Sequence, residues 1–118
     1  MRNQELSDRT KRFAVRVIRL FVALPKTDLA RVLGKQLLRS GTSIGANYRE
    51  ACRARSDAEF VAKLGIVEQE LDETMYWLEL LAEAEVVTAA RLVELKQEAD
   101  ELMGIVVTSI KTIKTRKS

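Results

Sequence analysis

Apolar residues recur every three or four positions along most of this chain, the spacing of an amphipathic helix rather than the alternation of a strand. The rhythm breaks at Pro25-Lys26-Thr27, at Arg55-Ser56 and at Val86-Val87-Thr88. It therefore predicts four helices, over residues 8–24, 28–55, 57–85 and 89–115. In the first, Phe13, Val17, Leu20 and Leu24 share a face that Ala14 and Phe21 broaden; Ser7 is the expected cap and Pro25 the stop. The second starts at Asp28 as cap, with Leu29, Leu33, Leu37, Ile44, Tyr48 and Ala51 on its core face. Ser56-x-x-Glu59 is a capping box opening the third, whose seam is Phe60, Leu64, Val67, Leu71, Thr74, Leu78 and Leu81. Thr88 is the expected cap of the fourth, with Leu92, Leu95, Ala99, Leu102, Val106, Ile110 and Ile113 as its stripe. Short connections make successive helices antiparallel, so the expectation is an all-α, up-and-down four-helix bundle forming one domain over 1–118.

Two helices carry more than one core face needs. The third has a second apolar stripe, Ala62, Ile66, Trp77, Leu80 and Ala84, on the side away from its seam. One bundle cannot bury both stripes, so Ile66, Trp77 and Leu80 are candidate subunit-interface residues, with tryptophan the typical anchor. The second has small residues Gly34, Gly41, Gly45 and Cys52 beside its core face. Glycine inside a helix costs about 1 kcal/mol relative to alanine, so this stripe implies close approach of another helix, or a kink near Ser40-Gly41. Ser40 and Asn47 sit at the margin of the same face and are expected to tie helices together by hydrogen bonds.

Charge is divided along the chain. Residues 1–55 hold 13 Lys/Arg against 4 Asp/Glu, residues 56–103 hold 3 against 13, and residues 104–118 hold 4 against none, for a net charge of only +3. On the first helix Arg9, Arg12, Arg16 and Arg19 share one side, and Arg39, Arg49 and Arg53 extend the basic surface on the second. These seven arginines are the candidate contacts to the phosphate backbone of RNA or DNA. A solvated face paired with the acidic half is the plainer reading. A basic half and an acidic half on one protomer also suit head-to-tail assembly, which closes into a ring when the rotation permits.

Catalytic and metal chemistry find little to stand on. The chain has no histidine, which removes the Glu-x-x-His pairs of di-iron bundles and the imidazole of common hydrolytic triads. Glu68, Glu70, Asp72 and Glu73 are adjacent in sequence and so spread around their helix, and no metal or cofactor is expected. Gly41-Thr42-Ser43-Ile44-Gly45 lacks the Gly-Lys-Ser/Thr ending of a phosphate loop. With six aromatic residues, mostly at core positions, there is no stacking platform for bases. Cys52, the single cysteine, excludes an internal disulfide. It is expected to be a compact packing residue, or a reactive thiol beside Arg49 and Arg53 if exposed. No apolar run approaches a membrane span and no secretory pattern opens the chain, so the expected location is the cytoplasm.

The most specific stretch is Leu37 to Leu81, densest at Ser40-Gly41-Thr42-Ser43-Ile44-Gly45-Ala46-Asn47 and continuing through Glu50-Ala51, Phe60-Val61-Ala62-Lys63-Leu64 and Tyr76-Trp77-Leu78-Glu79-Leu80-Leu81. It resembles the bacterial four-helix-bundle proteins named after the intervening sequences of 23S ribosomal RNA genes. That resemblance implies a bundle assembled as a ring, usually a pentamer, and carries no established activity. The related accessory proteins of diversity-generating retroelements, similar in fold, bind nucleic acid together with a reverse transcriptase. The expectation is thus a non-enzymatic accessory module whose partners are its own copies, RNA or DNA, and a nucleic-acid enzyme. The alternative is a scaffolding homo-oligomer that docks a protein partner.

Overall fold

In a computed structural model that describes residues 3–117, the chain forms four helices: α1 (Gln4–Ala23), α2 (Asp28–Cys52), α3 (Asp57–Glu83) and α4 (Ala89–Lys117). Met1, Arg2 and Ser118 lie outside the described residues. Each helix packs on the next, and α4 returns against α1, closing an up-and-down bundle about 50 Å long and 20 Å across. The α1–α4 contact is the thinnest of the four.

The helix ends differ from the expected ones for identifiable reasons. Asn3, not Ser7, caps α1: its side-chain oxygen accepts from the backbone N–H of Glu5 at 2.8 Å and of Leu6 at 3.3 Å. Its own N–H donates to the Tyr48 hydroxyl at 3.0 Å, a tertiary contact across 45 residues that fixes where the helix begins. Thr27, one residue before the expected Asp28, caps α2 by accepting from Ala30 N–H. At the other end of α2, Arg53 N–H donates to Glu50 and Ala54 N–H to Ala51, so the last turn tightens and the helix stops at Cys52 rather than 55. Only half of the capping box takes its expected form. Ser56 Oγ accepts from Glu59 N–H, but Glu59 reaches back to Arg55 N–H instead of Ser56. The α3–α4 turn is a Schellman motif: Val86 N–H donates to Leu81 O and Glu85 N–H to Ala82 O. It ends α3 at Glu83, two residues before the expected stop.

All seven expected seam positions of α3 are buried, as are those of α4 except half-buried Ile110. On α2 the core face is rotated at its start. Leu29 is 53% exposed, and Ala30 and Gly34 are buried instead. The C-terminal end of α1 and the residue after it cause the rotation, since Phe21 and Leu24 lie over Gly34: an added Cβ would sit 2.6 Å from Leu24 Cδ1, and that side chain would have to shift. Gly41 lies under Val17 and Gly45 under Thr10, whose backbone carbon would be 3.4 Å from an added Cβ. α2 runs without a break through both glycines. Their role here is close approach of α1, and α2 keeps its helical pairing throughout.

Ser40 and Thr74 are the buried polar pair between α2 and α3. Their hydroxyls lie 2.9 Å apart, with Leu37 O and Glu70 O as backbone acceptors. Asn47 does not join helices: its side-chain amide donates to Ser43 O, one turn back in α2. Among the described residues no buried side-chain nitrogen or oxygen lacks a partner.

Candidate anion-binding surfaces

The seven candidate arginines separate into three groups. Arg9 and Arg39 are committed to carboxylates of the same bundle. Arg9 turns toward α4, where its Nε and Nη2 donate to the two carboxylate oxygens of Glu98 at 3.0 and 2.8 Å, and Nη2 also meets Glu101. This forked contact crosses the thin α1–α4 seam, and it holds the Arg9 pKa above its ordinary value, the Glu98 hydrogen bond leading and burial opposing. Arg39 crosses from α2 to α3 to pair with Glu73 and Glu70. The Glu73 bond raises the Arg39 pKa, while the Arg39 guanidinium holds Glu73 below the usual carboxylate value, helped by a hydrogen bond from the Trp77 indole.

Arg12, Arg16 and Arg19 follow Arg9 along the flank of α1 that faces α4. Arg12 and Arg19 are exposed, Arg16 is half-buried, and none pairs with a carboxylate among the described residues. Successive guanidiniums three or four residues apart on one helix stand near enough to contact neighbouring phosphates of a polyanion.

Arg49 and Arg53 form the third group, on the opposite flank of the α1–α2 pair. They line one wall of a groove of about 550 Å³, with Lys11 of α1 on the other wall. Pattern reading missed Lys11, because nothing in the helical period of α1 distinguishes it from any solvated lysine. Its meaning depends on where α2 lies. The groove floor is made of small residues, Ala14, Gly45 and Ala46, and half-buried Cys52 borders it as a free thiol.

The second stripe of α3 is only partly covered by its own protomer. Ala62 and Ala84 are exposed and Ile66 is 39% exposed. Trp77 and Leu80 are half-buried, with Trp77 packed against the bundle core and its indole N–H donating to Glu73 at 3.3 Å. Tyr76, which the stripe had not included, is the exposed aromatic at 54%, and its ring meets Trp77 edge-on at 5.2 Å. Other exposed apolar residues, Val15, Ile18 and Val22 on α1 and Leu29 and Val32 on α2, were not read from the sequence as exposed either.

Among the described residues no group of three or more histidine, cysteine, aspartate or glutamate side chains is placed to hold a metal ion. No described helix is long and apolar enough to cross a membrane.

These features define a four-helix bundle with charged flanks and exposed apolar residues on its outer faces. The model of the 23S rRNA-intervening sequence protein family matches residues 2–108, and the chain belongs to that family. Among solved structures it is similar to a protein of unknown function from the S23 ribosomal protein family of Bacteroides thetaiotaomicron VPI-5482. The two are 40% identical with a TM-score of 0.87, over 94% of this chain and 99% of the other. A comparison with curated proteins gives no match.

Proposed function

We propose that this protein is a non-enzymatic accessory module that binds the backbone of RNA or DNA as a homo-oligomeric ring, taken as a pentamer, in the cytoplasm. The observation that carries the reading is the unpaired array Arg12, Arg16 and Arg19 on one flank of α1. Arg9 and Arg39, by contrast, are held by carboxylates of their own bundle. Arg12, Arg16 and Arg19, with no carboxylate partner among the described residues, present charge that a polyanion would neutralise, releasing its counterions. Ring assembly is supported by exposed apolar residues on halves of opposite charge, on α1–α2 and on α3. A ring repeats the arginine array around its axis, and avidity then multiplies a weak contact. Partners of this reading are the protein's own copies, a nucleic acid, and an enzyme that acts on it.

Filter binding to mixed RNA and to duplex DNA tests it. Affinity falls steeply with salt, by about 0.9 in log–log slope for each phosphate neutralised on duplex DNA. Arg12→Glu/Arg16→Glu abolishes binding while leaving the solution mass unchanged. Absence of binding by the wild type even at low salt refutes the proposal.

The second reading is a scaffolding oligomer that docks a protein partner. It is favoured by the commitment of Arg9 and Arg39 to their own bundle, which shows part of the basic surface serving the fold. Under it, nucleic acid does not bind and the oligomer persists.

A further inference from the structure

The groove between α1 and α2 is built from features that the arginine array does not explain. Its cations come from both walls, Lys11 from α1 and Arg49 and Arg53 from α2, so a group lying in the valley is straddled by them. None of the three pairs with a carboxylate among the described residues. The competing acid in the groove, Asp8, accepts a hydrogen bond from Gln4 at 3.1 Å. Complementing the C-terminal pole of α2 would account for a cation in its last turns, but α1 begins at the same end and sets its positive pole beside it. Lys11, on the partner helix, is outside that account altogether.

The remaining lining narrows the ligand class. Thr10 and Thr42 spend their hydroxyl protons on the backbone carbonyls of Ser7 and Leu38, at 2.8 and 2.7 Å. Thr10 is buried with its oxygen against Gly45, whereas half-buried Thr42 borders the groove with its oxygen left as an acceptor, suited to a hydroxyl group of a ligand. Among the described residues no aromatic ring lines the groove, so they offer no platform for stacking on a base. At about 550 Å³ it falls within the range of small-molecule sites and exceeds what a lone phosphate needs.

We propose that this groove is a binding site for a phosphate ester carried on a polyhydroxyl body, a sugar phosphate either free or as a unit of a nucleic-acid backbone. Lys11, Arg49 and Arg53 hold the phosphate; the Thr42 oxygen receives a sugar hydroxyl. The site goes beyond the α1 array and stands or falls separately from it, since Arg12 and Arg16 lie on the other flank.

Cys52 gives a reporter in the unmodified protein, being the single cysteine and bordering the groove half-buried. Its alkylation by neutral iodoacetamide is followed at low salt with ribose 5-phosphate, ribose, inorganic phosphate, or a short single-stranded oligonucleotide. Ribose 5-phosphate or the oligonucleotide slows alkylation about threefold or more, and ribose alone does not, as expected of charge-assisted binding beside the thiol. Protection by the oligonucleotide but not the free sugar phosphate assigns the site to the polymer backbone; protection by both assigns it to the shared chemistry. Arg49→Ala/Arg53→Ala removes the protection, and Lys11→Ala on the other wall does so independently should the double variant fold poorly. Arg12→Glu/Arg16→Glu, which loses polymer binding at the α1 array, keeps the protection by ribose 5-phosphate, and this separates the site from the surface proposed above. No protection by any phosphorylated probe, or protection indifferent to the groove substitutions, overturns the proposal.

Discussion

Glu85 is the one described non-glycine residue with positive φ, at 60°, and it sits at the left-handed position of the Schellman turn between α3 and α4. A side chain there costs about 1 kcal/mol against glycine, partly offset by glycine's freedom in the unfolded chain. Glu85→Gly is expected to raise the urea midpoint, with a gain of about 0.5–1 kcal/mol. Glu73 makes a second residue-scale prediction. Its carboxylate is held below the usual value, by Arg39 first and by the Trp77 indole N–H as well. A carboxylate whose pKa is lowered by folding stabilises the native state above its unfolded value, and that contribution is lost as pH falls through the folded one. The difference in stability between wild type and Arg39→Ala is therefore constant near neutrality and shrinks on acidification below the ordinary carboxylate range. Trp77 is the only tryptophan, so its fluorescence reports the same step. A stability difference unchanged down to the acid unfolding limb refutes the coupling.

At the scale of elements, the five glycines have opposite meanings that only packing reveals. A Cβ on Gly41 would lie 2.9 Å from both γ-carbons of Val17, a buried β-branched side chain with little room to move. A Cβ on Gly65 of α3 would meet nothing within 4 Å. Gly65→Ala should then stabilise by about 1 kcal/mol through helix propensity alone. Gly41→Ala should destabilise, because overpacking of about 1–3 kcal/mol exceeds the same propensity gain. Thermal unfolding of the two variants checks the contrast, and stabilisation by both would show that α1 does not press on Gly41. The sequence could suggest this, since Gly34, Gly41 and Gly45 fall on one stripe while Gly65 and Gly104 do not. The seams of α3 and α4 were legible for a similar reason: each is a long, strict apolar period with no competing stripe of equal strength facing the core. The start of α2 was not legible, because Leu29 and Ala30 both fit a helical period. Which one turns inward is decided by Leu24 and Phe21 arriving from another helix.

For the whole molecule, the sequence made the charge division visible but not its disposition. That Arg9 and Arg39 are consumed within the bundle depends on partners 89 and 34 residues away, and that Arg49 and Arg53 share a groove with Lys11 depends on how α1 crosses α2. The outer stripe of α3 was readable as an excess of apolar positions, yet its most exposed aromatic is Tyr76, while Trp77 folds back onto its own bundle and Glu73. This decides how assembly should be tested. Replacing Trp77 removes core packing and an indole hydrogen bond together, so loss of an oligomer in that variant would carry no information about an interface. Tyr76→Asp and Ile66→Asp instead change exposed positions outside the core cluster, so the free protomer keeps its fold. If the α3 strip meets another copy, light scattering gives a multiple of 13.3 kDa for wild type and a mass near 13.3 kDa for Tyr76→Asp/Ile66→Asp, with helical content retained. The new carboxylates carry the sign of the acidic half, so they oppose assembly through the cost of burying them and favour a basic neighbour at a solvated rim. A matching Tyr76→Lys variant separates desolvation from charge: both substitutions block assembly if the strip is buried, whereas only the lysine weakens it if contact with a basic neighbour is made by charge at the rim. A wild-type mass of 13.3 kDa would remove the ring and leave the arginine array to act one protomer at a time, with affinity limited to three cations.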